Sequence, residues 1–225
     1  VKVGEQYATV FELLNARSFS KLINADRDNI EFYADLFVDL MKQIHSTEVS
    51  PEDMVNEKDV ALEWVTYLEG RIPDDQYEKL YNLVNAIPDR YTMLHGDYHT
   101  NNVEMQNGEV LLIDMDTLCY GHPIFELSSM YMAFVGFGEL DGGVVERFFK
   151  MPYELSCSFW KAALKRYLET DDEAAIAALE DKAKLITYAR LLRRAYRKMA
   201  DQPEAAKYFS EKLAETLERV DTLEI

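Results

Sequence analysis

Apolar positions recur at helical spacing from Ile30 through Tyr33, Ala34, Phe37, Leu40, Met41 and Ile44, and this stripe predicts an amphipathic helix with one face in a core. Pro51 and its neighbours break the pattern. Two shorter helices are predicted near Asp59–Glu69 and Asp74–Asn85, the second opening after Pro73 with two acids that suit a helix start. Thr92-Met93-Leu94 reads as a short strand. Val103–Gln106 and Glu109–Ile113 flank Asn107-Gly108, the pair that best supplies the positive φ angles of a tight β-hairpin. Phe125–Phe137 is apolar nearly all round and predicts a buried helix, followed by a loop holding Gly136, Gly138, Gly142 and Gly143. From Val144 to Val220 the pattern is helical, with Phe209, Leu213, Leu217 and Val220 as the last stripe. At the front, Val1–Leu14 reads as a hairpin turning at Gly4-Glu5-Gln6, with Tyr7–Leu14 a β-prone run and Asn15–Ser18 a polar break. The sum is an α+β, mostly helical fold, and the missing βαβ alternation argues against a doubly wound parallel sheet.

Composition narrows this picture. A chain of 225 residues, 48% hydrophobic, holds one large domain or two small ones with a real core. No apolar run reaches the ~18 residues of a membrane span, and the first residues lack the basic start and apolar stretch of a signal peptide. Cys119 and Cys157 sit in apolar surroundings without CxxC spacing, as reduced thiols of a cytoplasmic protein do. The net charge of −17 speaks against a nucleic-acid partner and is compatible with a cationic ligand. Some of the 14 tyrosines can serve such a ligand by cation–π contact. One basic run, Lys182–Lys198, stands apart; it reads as a solvated helix face, with an anion site as the alternative. Oligomeric state leaves no mark on the pattern.

The chemistry concentrates in His95-Gly96-Asp97-Tyr98-His99-Thr100-Asn101-Asn102 and in Asp114, twelve residues after Asn102. Asp97 lies on a glycine-containing loop, where a carboxylate can reach a substrate hydroxyl as a base. With a two-residue turn, Gln106 faces Glu109 and Val103 faces Leu112, so the open end of the hairpin brings Asn101 and Asn102 beside Asp114 and Ile113. An amide oxygen and a carboxylate are hard ligands suited to magnesium. A strict pleat favours Asn101 as the partner of Asp114; a strand that begins after Asn102 favours Asn102. His95 reads as a brace for the loop, and His99 as either a brace or a contact to substrate or phosphate.

His95-Gly96-Asp97, Asn102 and Ile113-Asp114 together resemble the aminoglycoside phosphotransferase and choline kinase family, relatives of the protein kinases. Val10-Phe11-Glu12-Leu13-Leu14 resembles that family's hinge strand, Met41-Lys42-Gln43-Ile44-His45 the end of its first large helix, and Gly121–Leu127 the segment after the metal site, where Glu126 stands in place of the usual Asp. The resemblance runs from about Tyr7 to the end of the chain. It implies a protein-kinase-like C-lobe (residues 15–225) after a remnant of N-lobe strands and hinge (residues 1–14). It implies a phosphotransferase moving the γ-phosphate of ATP to a hydroxyl of a small, cationic or neutral substrate. Asp97 would be the catalytic base, Asn102 and Asp114 the Mg2+ ligands, and the backbone of Glu12, Leu13 and Leu14 the adenine contact. His95, His99, Asp116 and Glu126 would support them.

The family's glycine-rich loop, phosphate-holding lysine and paired glutamate have no counterpart before Tyr7, and the one GxG, Gly136-Phe137-Gly138, follows the metal motif. The expectation is a chain that starts inside the N-lobe and, alone, binds nucleotide poorly. Three rival readings stand beside this one. Asp114-Met115-Asp116 after an apolar strand resembles a DxD phosphatase nucleophile, but Thr117-Leu118 does not continue that motif. Two-metal phosphoesterases need more clustered histidines than the 4 present. A non-catalytic kinase-like binding module is the third.

Overall fold

Residues 2–7, 10, 12–199 and 201–225 are described by a computed structural model. The chain opens with the antiparallel pair β1 (Lys2–Val3) and β2 (Gln6–Tyr7), joined by a turn in which Gly4 takes φ +62°. The hairpin is shorter than its sequence suggests. Positions 8, 9 and 11 of the β-prone run 7–14, the last of them in the hinge-like segment, lie outside the described residues, and residues 10 and 12–14 have no regular structure. Leu13 is 95% exposed, so a β-prone segment without a partner strand gains nothing from extension. The expected polar break also departs from its sequence: it contains β3 (Arg17–Ser18), which Arg17↔Met105 and Ser18↔Glu104 pairing makes an edge strand of the central hairpin.

Next come α1 (Phe19–Ala25) and α2 (Ile30–His45). In α2 the buried face is Tyr33, Ala34, Phe37, Val38, Met41 and Ile44; Leu40 sits at its margin. After β4 (Val55–Asn56), α3 (Glu57–Thr66) starts earlier than its apolar pattern because the Asn56 side chain accepts from Lys58 N at 3.0 Å and caps it. α4 spans Asp74–Asn85, as its start signals predict. β5 (Met93–Leu94) leads into the motif, and β6 (Val103–Gln106) pairs β7 (Glu109–Leu112) in the predicted register, Val103↔Leu112 to Gln106↔Glu109. β8 (Cys119–Tyr120) lies between β4 and β5 in the other small sheet.

Helices complete the chain: α5 (Ile124–Phe134), α6 (Gly142–Phe149), α7 (Tyr153–Leu168), α8 (Glu173–Lys198) and α9 (Pro203–Leu217). All residues of α5 are buried, and it packs against α7 and α8. Gly142 and Gly143, expected in a loop, instead begin α6, because Asp141 Oδ1 accepts Gly143 N at 2.9 Å and supplies the cap that glycine lacks. No strand follows β8 among the described residues, so the alternation a DxD phosphatase fold needs is missing. No described helix is long and apolar enough to cross a membrane. Both cysteines are free thiols, Cys119 buried and Cys157 half-buried.

Phe37 is the meeting point of the core and the motif. Its ring lies 4.4 Å from Tyr98, 5.2 Å from Phe159 and 6.1 Å from Phe134, and Tyr98 Oη donates to the Phe37 carbonyl at 2.7 Å. The residue next to Asp97 is thereby sunk into the helical body.

Candidate active site

The motif loop is pinned from three sides. Glu126, buried on the first turn of α5, accepts His95 N at 2.6 Å and Gly96 N at 3.0 Å, one oxygen for each. A carboxylate clasping two successive amides fixes their direction more strongly than neutral acceptors do. His45 Nε2 approaches the same carboxylate at 3.8 Å. The longer arm of Glu126, compared with Asp, therefore serves to hold the loop backbone. Gly96 takes φ +80°, and a Cβ there would lie 2.3 Å from the Thr117 carbonyl oxygen, so only glycine fits. Thr117 Oγ1 donates to the His95 carbonyl at 2.8 Å. The His95 ring is fully buried, with Nε2 3.1 Å from the Ile113 carbonyl and Nδ1 accepting Asp97 N at 3.3 Å.

Asp97 itself is half-buried, with His99 Nε2 3.5 Å from its Oδ2. Hydrogen bonding to His99 holds the Asp97 carboxyl below its ordinary value, against the opposing effect of burial, and the charges of His99, His95 and Arg190 act in the same direction. His99 is wedged edge-on between Phe148 at 5.0 Å and Phe149 at 5.7 Å, which fixes the ring, and its Nδ1 has no partner among the described residues.

The pleat question is decided by where the strand begins. Asn102 precedes β6, and its carbonyl accepts Ile113 N at 3.0 Å, which sets it beside Asp114. Its side-chain Nδ2 donates to the Asp97 carbonyl at 3.0 Å, turning the amide oxygen the other way. Asn101 Nδ2 instead donates to the Phe148 carbonyl at 3.0 Å and belongs to the contact with α6. Asp114 is exposed and left-handed, φ 59° and ψ 56°, a conformation Asp and Asn tolerate best among residues with a Cβ. The amide oxygen and the carboxylate suit a hard divalent cation that takes its other ligands from phosphate. No cluster of three His, Cys, Asp or Glu able to hold a metal alone exists among the described residues.

The site is an open ledge. Asp116 is exposed on the short 3-10 turn Met115–Thr117. Glu12, Leu13 and Leu14 precede β3, anchored where Asn15 N donates to Gln106 Oε1 at 2.7 Å, toward the turn of the hairpin. A larger cavity of about 630 Å³ lies elsewhere, between α8 and α9. Two further charged residues carried no sequence signal of their own: Arg190 on α8, whose charge acts on Asp97, and Glu57 at the start of α3, whose charge acts on Arg190. Burial pushes the Glu57 carboxyl up to about 7, partly offset by Arg190.

The sequence model of the phosphotransferase enzyme family APH matches residues 2–160, a span that includes the motif, the hairpin and all three small sheets of the described residues. Among solved structures, the chain is similar to a thermostable mutant of the aminoglycoside phosphotransferase APH(4)-Ia in a ternary complex with ADP and hygromycin B. The identity is 13% and the TM-score 0.49, over 91% of this chain and 70% of that one. Among curated proteins no relative matches significantly.

Proposed function

We propose, from the fact that the chain belongs to the APH family of phosphotransferase enzymes, that it moves the γ-phosphoryl group of ATP to a hydroxyl of a small molecule. One observation carries this reading. The carboxylate of Asp97 is kept ionised on a loop whose neighbour Asn102 is backbone-paired beside Asp114. Asp97 orients the acceptor hydroxyl and takes its proton as the phosphoryl group leaves the nucleotide. Asn102 and Asp114 hold Mg2+ which, when bound, offsets the negative charge on the phosphates. His99 keeps the base ionised, and Glu126 with His95 keeps the loop from drifting. Residues 1–14 belong to the nucleotide-holding side, with the backbone of Glu12–Leu14 along the adenine. The acceptor is a small alcohol; the net charge of −17 is compatible with an aminoglycoside or a choline-like cation.

Release of ADP, measured across a panel of hydroxylated metabolites and aminoglycosides, tests the reading. An active pair is expected to lose roughly 10²–10⁴-fold in rate with Asp97→Asn while keeping nucleotide affinity. Asp114→Ala is expected to weaken nucleotide binding only when Mg2+ is present. Unchanged turnover in Asp97→Asn would remove Asp97 as the base, Mg2+-supported nucleotide binding that ignores Asp114 would remove the metal assignment, and nucleotide binding with no turnover across the panel would refute the reading in favour of a non-catalytic binding module.

A further inference from the structure

The basic run of α8 divides into two halves. In the first, Lys184 pairs with Glu180 and Asp181, and Lys182 donates to the Glu224 carbonyl. In the second, Arg190, Arg193, Arg194, Arg197 and Lys198 have no carboxylate within ion-pair distance among the described residues. In a chain with 41 acids against 24 Lys and Arg, five successive unpaired cations on one helix are not explained by a shortage of counter-ions.

Their placement connects them to the motif. Thr187 Oγ1 donates to the Ser128 carbonyl at 2.7 Å, and Ser129 Oγ donates to the Gly96 carbonyl at 3.3 Å, so α8 crosses α5 against the loop that carries Asp97. Arg190 follows Thr187 by about one turn on the same side. Its guanidinium stacks on Trp64 of α3, 4.6 Å from the ring centroid; Arg193 lies 5.8 Å from Tyr67 and Arg194 5.5 Å from Phe137. Stacking holds a guanidinium by its face and leaves its in-plane N–H groups free. None of these three side chains donates a hydrogen bond among the described residues, and Arg193 Nε is buried without a partner. Burial pushes Arg190 down from the ordinary guanidinium value, the charges of Glu57 and Asp97 oppose that shift and those of Arg193 and Arg194 add to it, yet a guanidinium stays charged at any physiological pH. Glu57, whose charge acts on Arg190, is raised to about 7 and so is a weak counter-ion below that pH.

We propose that the acceptor is an alcohol bearing an anionic group, phosphate or carboxylate, which Arg190, Arg193 and Arg194 hold while its hydroxyl meets Asp97. This rests on the phosphotransferase reading for the role of Asp97 and on the arginines alone for the anion. Forked N–H donors on aromatic supports match the oxygens of such a group pairwise. The partly buried Arg190 beside the base favours a small molecule over a membrane or a nucleic acid.

The test is calorimetric titration of the full chain with four hydroxyl-bearing probes of graded charge: glycerol 3-phosphate, glycerate, glycerol and choline. At least one anion is expected to bind, glycerol and choline not to, and Arg190→Gln to weaken the anion roughly tenfold or more. Arg194→Gln, at an exposed position that does not threaten folding, is expected to act in the same direction. Binding of choline in preference to both anions, anion binding indifferent to both substitutions, or arginine-dependent capture only by anionic vesicles or RNA would overturn the proposal. Phosphoryl transfer is read separately. Arginine-dependent anion binding without ATP turnover leaves the anion site standing and removes the phosphotransferase reading. Turnover of uncharged alcohols that ignores Arg190 and Arg194 does the reverse.

Discussion

Asp97 is a base only while it is ionised, and its neighbour His99 is the largest reason it stays so. A carboxyl whose folded value lies below its unfolded one adds stability above the unfolded value, and that contribution is lost as the pH falls through the folded value. Replacing His99 with Phe removes the hydrogen bond and leaves the desolvation, which raises the carboxyl. The acid limb of the pH–rate profile is expected to move to higher pH; an unmoved limb would show that His99 does not govern the base. The sequence could single out Asp97, Asn102 and Asp114 because Asp, Asn and Asp at these separations have few other uses together, and the backbone pairing of Asn102 with Ile113 sets two of them side by side. The bracing role of Glu126 was not legible, since the two amides it clasps are fixed by a helix start thirty-odd residues later in the chain. Arg190 was legible only as one cation in a run; which half of that run lacks counter-ions depends on where the acids of other helices fall.

At the scale of elements, the β6–β7 hairpin and the loop before it rest on two glycines of different kinds. Gly108, φ +86°, has open space where a Cβ would go, and with Asn107 at φ 55° it makes the tight turn the sequence announces. Gly96 has the Thr117 carbonyl in that space. Gly108→Ala is therefore expected to cost about 1–2 kcal/mol of backbone strain. Gly96→Ala is expected to cost more than Gly108→Ala by denaturant unfolding, because the backbone oxygen cannot step aside. Equal losses would mean the loop relaxes freely. Local signals reported this hairpin and the long helices well, since an Asn-Gly turn and a 3.6-residue stripe act within a few neighbours. They misjudged β3 and the first turn of α6, where a distant strand in one case and the cap Asp141 in the other outweighs local preference.

Across the whole molecule, like charge repels like: −17 spread over 225 residues opposes the compact state. Added salt shortens the screening length to about 10 Å at ~0.1 M, so the thermal midpoint is expected to rise as sodium chloride is raised from low concentration. Anion binding at Arg190 is expected to weaken over the same range. The two opposite slopes, read by calorimetry on one sample, separate the general field from the local one. A midpoint that falls with salt would show that attractive pairs, such as Arg166 with Asp35 and Asp39, dominate instead.

Cys119 gives this architecture a built-in witness. Its thiol is almost inaccessible, 3% exposed, and burial together with the charges of Glu57 and Glu126 pushes it far up, so it is unreactive while its sheet is closed. It pairs directly with Leu94, the residue immediately before His95. The rate at which a maleimide labels this position, set against the half-buried Cys157, therefore counts how often the platform under the reactive loop opens in the native state.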